Sequence, residues 1–222
     1  MTIIKFIFIL FAAANLLFAN EVEVVDIFQP KKQTPTSIIK ETLSRPQVFF
    51  TGSDLTRLVG SFYAAVGELL YIKGKVTDAF GVPINNATVN IWQTNSAGKY
   101  QNILKRNSIQ IDENFNLSGT ARTDNLGIYG FKTVFPGYES LERAPHINLI
   151  ITHKNFGSIY TEIYFEGHPM NIKDPIYMSY TEEERKMLTA KVKNVDSNDI
   201  TSGKLAVFNI VMDGVHSYKK SN

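Results

Sequence analysis

Gly74-Lys75-Val76-Thr77-Asp78-Ala79-Phe80-Gly81-Val82-Pro83, followed at once by Ile84-Asn85-Asn86-Ala87-Thr88-Val89-Asn90-Ile91-Trp92-Gln93, places two short β-type runs either side of a turn. The turn holds Asp78, Gly81 and Pro83, residue types that supply side-chain caps, positive φ and a preset φ to tight turns. In the second run Val89 and Ile91 alternate with Thr88 and Asn90, the period of a strand with one buried face. Working outward, similar runs occur at 71–77, 127–133, 146–152, 160–165 and 205–212, separated by turn signals such as Asp124-Asn125-Leu126-Gly127 and Phe135-Pro136-Gly137. This spacing predicts an all-β sandwich or barrel in preference to a βαβ fold.

A single helix is expected to begin near Ser179 or Thr181 and to run through Leu188, because Glu182 and Glu184 each follow a hydroxyl residue by three positions. It reads as a short surface helix. Upstream, residues 20–48 contain Pro30, Pro35 and Pro46, which break any long period; they read as an extended N-terminal arm with one short helix near 37–43. Residues 1–19 read as an export signal, with an early charge at Lys5, an apolar run from 6 to 19 and a small residue, Ala19, for cleavage. The expected organisation is a signal peptide at 1–19, an arm at 20–48 and one β-domain at 49–222. The mature protein is expected to be exported to a periplasm or the extracellular space, free of the membrane once the signal is removed.

The 23 basic and 21 acidic side chains leave a formal charge of +2, which offers no attraction to a polyanion and argues against a nucleic-acid partner. Cysteine is absent, which excludes disulfides, thiolate metal sites and a cysteine nucleophile. Any metal must therefore use nitrogen and oxygen ligands.

The chain has four histidines, His146, His153, His168 and His216, with no His-x-His or His-x-x-x-His spacing among them, so a zinc hydrolase is not indicated. No Gly-x-Ser-x-Gly elbow supports a serine hydrolase either. The informative cluster is Tyr100, Tyr138, Arg143 and His146. Phenolates with an imidazole make a sensible set for hard ferric iron. On spacing alone Tyr138 reads first as a corner tyrosine bonded to the backbone, as sandwiches often use. His153 lies seven residues beyond His146, an odd separation that puts the two on opposite faces of a strand, and it is expected at the surface. His216 falls in a polar tail with Lys219 and Lys220.

The order of the segments carries more than any one of them. Gly74-Lys75-Val76-Thr77-Asp78, Gly81-Val82-Pro83-Ile84, Ala87 to Gln93 and Gly98-Lys99-Tyr100 are followed by Asp112-Glu113-Asn114-Phe115, Thr123-Asp124, Gly127-Ile128-Tyr129, Pro136-Gly137-Tyr138, Arg143-Ala144-Pro145-His146-Ile147 and Tyr164-Phe165-Glu166-Gly167. Together, over roughly 49–214, they resemble the intradiol ring-cleavage dioxygenase family, most of all its protocatechuate 3,4-dioxygenase β chains. The first segments alone are also similar to transthyretin-like and carboxypeptidase regulatory-like sandwiches.

The resemblance implies a prealbumin-like β-sandwich whose Fe(III) is held by two tyrosines and two histidines. Those positions correspond to Tyr100, Tyr138 and His146 here, while the second histidine is replaced by Asn148. A neutral amide oxygen is a poorer ligand than imidazole. Glu162 stands where these enzymes usually carry glutamine, and it can either complete the iron site or pair with Arg143; His168 is a further candidate for the fourth position. The implied activity is O2-dependent cleavage of a catechol-type substrate, with Tyr138 displaced on substrate binding and Arg143 stabilising negative charge on the ring. Two other outcomes stay open: a non-catalytic partner subunit in an oligomer with itself or a related chain, and an exported binding module.

Overall fold

The computed structural model describes residues 29–37, 44–100, 112–196, 198–199 and 202–213. The expected export signal, nearly all of the helix expected at 37–43, and His216 lie outside the described residues. Among the described residues the strands are β1 Leu69–Thr77, β2 Thr88–Gln93, β3 Ser118–Arg122, β4 Ile128–Val134, β5 Ile147–His153, β6 Gly157–Phe165, β7 Thr189–Asn194, β8 Lys204–Val207 and β9 Ile210–Val211. Two short helices, α1 Pro175–Ser179 and α2 Glu182–Leu188, lie between β6 and β7. The chain is thus mostly β, as its turn spacing predicts.

The strands pair in the order β3-β2-β5-β6-β7-β8-β1-β4, with β9 added to β1. The path consists of two four-strand halves that meet where β6 and β7 run parallel for two residue pairs, Tyr164 with Thr189 and Phe165 with Ala190. Both halves feed one core: Val89, Ile91, Leu149, Ile151 and Ile163 from the first, Leu70, Ile72, Phe131 and Ala206 from the second. Each fully buried aliphatic side chain there stabilises the fold by roughly 1.5–3 kcal/mol. One polar residue also reaches inward. Gln93 donates to the carbonyl of Val134 at 2.9 Å and accepts from Thr133 Oγ1 at 3.0 Å, so its amide is satisfied while it ties β2 to β4.

Local chemistry accounts for most element boundaries. The turn after β1 closes because Asp78 Oδ1 accepts from the N–H groups of Phe80 and Val82 at 2.9 and 2.8 Å. Helix α2 begins at a reciprocal capping box between Thr181 and Glu184, as its sequence predicts. It is more than surface decoration, because Leu188 is fully buried with Ala144, Tyr164 and Tyr180 in a second small core. The run expected at 205–212 divides into β8 and β9, since Asn209 between them turns its side chain to accept from Lys75 N at 3.1 Å. The described parts of the arm are extended and stitched to the body: Thr34 N donates to Val211 O at 3.0 Å and Ser37 N to Tyr160 O at 2.7 Å.

Candidate functional site

The site is built on the outer face of the first half-sheet. Trp92, Asn148 and Glu162 stand in register across β2, β5 and β6. Side chains alternate along a strand, so Asn148 points away from the core that holds Ile147 and Leu149, and Glu162 away from the core that holds Ile163. An exposed face would leave these polar groups in water. Here the segment before β5 and the helices after β6 cover it, and Asn148 and Glu162 are 4% and 2% exposed.

Burial of Glu162 demands a partner, and Arg143 provides it. Arg143 Nη2 donates to Glu162 Oε1 at 3.0 Å, while Nη1 reaches Asp174 Oδ1 and Oδ2 at 2.7 and 2.8 Å and Tyr164 Oη at 3.1 Å. Tyr164 Oη in turn donates to Glu162 Oε2 at 2.6 Å. Asp174 is completely buried, accepts from Ala144 N at 2.9 Å and caps α1 through the N–H groups of Ile176 and Tyr177. Burial works against the Arg143 charge, but Glu162, Tyr164 and Asp174 outweigh it and raise its pKa. The guanidinium is therefore a fixed cation held in one orientation.

His146 is oriented from the same segment. Its Nδ1–H donates to Ala144 O at 2.7 Å, which leaves the Nε2 lone pair facing Arg143 Nη2 at 3.1 Å. Burial, and then the Arg143 cation, push its pKa down, which favours a neutral imidazole whose Nε2 lone pair, here accepting from Arg143, would have to turn from it to bind a metal.

That nitrogen opens on a cavity of about 180 Å³ lined by Ser44, Tyr100, Glu139, Arg143, His146, Asn148 and Ile176. Asn148 Nδ2 donates to Tyr100 Oη at 3.0 Å and to Trp92 O at 3.3 Å. Burial and the nearby Glu139 carboxylate push the Tyr100 pKa up, so its phenol holds its proton until a cation replaces it. Two loops cross to bring these groups together. Gly98, at φ +77°, packs so closely on the next loop that a Cβ there would meet Tyr138 O at 1.8 Å. Asn95 locks the crossing, its carbonyl accepting from Gly137 N at 2.9 Å and its side chain from Lys99 N at 2.9 Å.

The sequence-derived candidates separate into two groups. Tyr100, Arg143, His146 and Asn148 converge on the cavity. Tyr138 does not line it; this residue is 51% exposed, with Oη 3.5 Å from His168 Nε2. His168, whose Nδ1 accepts from Met170 N at 3.3 Å, likewise does not line the cavity. Glu162 lies beneath Arg143, outside the cavity lining. His153, expected at the surface, is 8% exposed with its ring 5.3 Å from that of Phe156, because the β5–β6 turn folds back over the strand end.

Three site residues escaped the sequence reading. Asp174 carried a local signal, an N-cap residue before a proline suited to the first helical position. Tyr164 stood within a quoted motif without a role. Glu139 had no signal beyond following Tyr138.

A larger open groove of about 930 Å³ lies elsewhere, beside β1, β3 and β4, with Tyr71, Ile72, Phe131 and Lys132 among its lining. It is mainly apolar and its Lys132–Asp54 pair is solvent-exposed, so we place the chemistry in the small cavity, where donors of complementary type converge. Among the described residues no three His, Asp or Glu side chains converge tightly enough to hold a metal ion. In this cavity the Tyr100 phenol is a further oxygen donor. The neutral His146 nitrogen, Tyr100 Oη and the Glu139 carboxylate form an N,O donor set suited to a hard trivalent cation such as Fe(III).

Comparison with known proteins gives the same direction. A family model described as "Dioxygenase" matches residues 51–214. The protocatechuate 3,4-dioxygenase β chain of Burkholderia cepacia is 31% identical over 168 residues, covering 72% of this chain and 71% of that one. A putative dioxygenase of Rickettsia conorii is 32% identical over 153 residues, covering 63% and 73%. The crystal structure of 3-chlorocatechol 1,2-dioxygenase from Rhodococcus opacus 1CP superposes with a TM-score of 0.63 at 19% identity, covering 88% of this chain and 78% of that one, a likeness of fold. With the match running from the turn before β1 to beyond β9, this chain belongs to the intradiol ring-cleavage dioxygenase family.

Proposed function

We propose that this protein is a ferric-iron dioxygenase that uses O2 to open the ring of a catechol-type aromatic between its two hydroxylated carbons. The observation that carries the proposal is the convergence of the Tyr100 phenol, the neutral His146 nitrogen and the fixed Arg143 cation on one small cavity. Relatives and structural neighbours named for protocatechuate and 3-chlorocatechol support an aromatic diol as the substrate class, carrying a carboxylate in the protocatechuate case.

Tyr100 and His146 would hold the ion, with Tyr138 as the second phenol of the family pattern. Bound Fe(III) supplies Lewis-acid activation of a catecholate toward O2. The protein supplies orientation and charge. Ala144 O fixes the His146 tautomer, and Glu162, Asp174 and Tyr164 aim Arg143 at the cavity, where a preorganised cation stabilises negative charge developing on the ring. Tyr138 lies outside the packed core, so its ring can move without repacking and take up a substrate proton.

A second reading, iron bound without turnover in a partner subunit, rests on Asn148, whose amide nitrogen faces the Tyr100 hydroxyl where the family pattern has an imidazole. We also propose export through residues 1–19, a prealbumin-like sandwich formed by the two half-sheets around their shared core, and assembly with itself or a related chain, as the name of a β-chain relative suggests. The deciding experiment is metal analysis and a visible spectrum of the purified protein, with O2 uptake on catechol and protocatechuate. Stoichiometric iron, a phenolate charge-transfer colour and O2 uptake are expected. Iron and colour without uptake would select the non-catalytic reading, and a protein that stays colourless after loading with Fe(III) would overturn both.

A further inference from the structure

We infer that Glu139 is an iron ligand in this chain, supplying an anionic oxygen at a site whose second imidazole is replaced by Asn148. The inference rests on the iron-dependent reading above and deepens it.

Three observations converge on Glu139. Its neighbour Tyr138 turns outward to His168, whereas Glu139 lines the cavity with Tyr100, His146, Arg143 and Asn148. Its Oε2 lies 3.9 Å from His146 Nε2, the ring nitrogen that faces the cavity and the Arg143 guanidinium. The other carboxylates near the site are committed elsewhere. Glu162 and Asp174 are 2% and 0% exposed and spend their oxygens on Arg143, Tyr164 and backbone N–H groups. Glu139 pairs with no lysine or arginine among the described residues, and at 38% side-chain exposure it keeps the freedom to move toward an ion.

Charge and reach favour the same assignment. Asn148 is neutral and its amide nitrogen is directed at Tyr100 Oη, so it offers no charge to a trivalent ion. At the cavity, Glu139 adds a carboxylate oxygen to the Tyr100 phenol oxygen, with His146 as the nitrogen donor. Hard trivalent ions favour such anionic oxygen. The crossing of Gly98 over the Tyr138 backbone fixes the base of the loop, so Glu139 enters the cavity from a defined direction.

The test compares wild type, Glu139→Gln and, as a control, Glu142→Gln, an exposed carboxylate of the same loop. Each is prepared metal-free, checked for folding by circular dichroism, and titrated with Fe(III) delivered from a weak chelator. Iron affinity and the phenolate-to-iron absorption band are read. Glu139→Gln is expected to weaken iron binding by about tenfold or more, at least the cost of losing an outer-shell partner. Its band should move to longer wavelength, because loss of an anionic donor makes the iron easier to reduce. Glu142→Gln should match wild type, and Glu139→Gln with Asn148→His should regain affinity. Unchanged affinity and an unchanged band in Glu139→Gln would overturn the ligand assignment and leave the iron reading standing. A wild-type protein that takes up no iron would overturn both.

Discussion

Arg143 and Asp174, thirty-one positions apart in the chain, form a two-point pair in which Nη1 lies 2.7 and 2.8 Å from the two carboxylate oxygens, and the same carboxylate caps helix α1. One buried side chain thereby couples the segment that carries Arg143 and His146 to the helical cover over β5 and β6. The arginine can face the cavity only because its other side is neutralised by Asp174 and Glu162.

Replacing Asp174 with Ala should remove the pair and the cap together. Breaking a buried pair leaves a charge without its counterpart, and a stability loss of about 3 kcal/mol is expected. Asp174→Asn keeps an acceptor for the cap but loses the charge, and should fall between Ala and wild type. Chemical denaturation of the three metal-free proteins measures the order.

The relation between Asn148 and Glu162 is best read from a double-mutant cycle. Glu162 faces Arg143 and not the cavity, so Asn148→His should tighten iron binding by a similar factor whether position 162 is Glu or Gln. Iron titrations of the four proteins decide. An effect of Glu162→Gln that appears only with Asn148 present would instead make Glu162 the substitute ligand.

Tyr100→Phe should abolish most of the charge-transfer colour, since Tyr100 is the phenol already at the cavity. Tyr138→Phe should keep a weaker, shifted band, because its phenol must move inward to contribute. Absorption spectra at matched iron content distinguish the two; equal loss in both would show that Tyr138 contributes as much as Tyr100.

Gly98→Ala should disturb the site more than the core. A Cβ at Gly98 meets Tyr138 O and its φ is positive, a conformation costing about 1–2 kcal/mol for an L side chain. The loop carrying Tyr138 and Glu139 must shift to admit it. We expect a larger loss of iron affinity than the fall in unfolding free energy alone would account for, measured by titration beside denaturation.

Protein isolated from its native host should begin near Asn20 or Glu21 if residues 1–19 direct export. N-terminal sequencing checks this, and an intact Met1 in the membrane fraction would count against it.

Alternation and turn chemistry were enough to determine the β class, the turn at Asp78 to Pro83 and the capping box of α2, because each depends on residues within a few positions of one another. The order of short motifs along the chain likewise marked Tyr100, Arg143, His146 and Asn148 as candidates and posed the choice between two roles for Glu162. Only tertiary structure shows Glu162 lying against the Arg143 guanidinium, because that contact follows from β5–β6 register and from where helix α1 docks. The outward turn of Tyr138, the inward turn of Glu139 and the burial of His153 were likewise decided by chain crossings: backbone contacts at Gly98 and Gly137 and the fold-back after β5 set which side chain of a loop meets the cavity and which meets water.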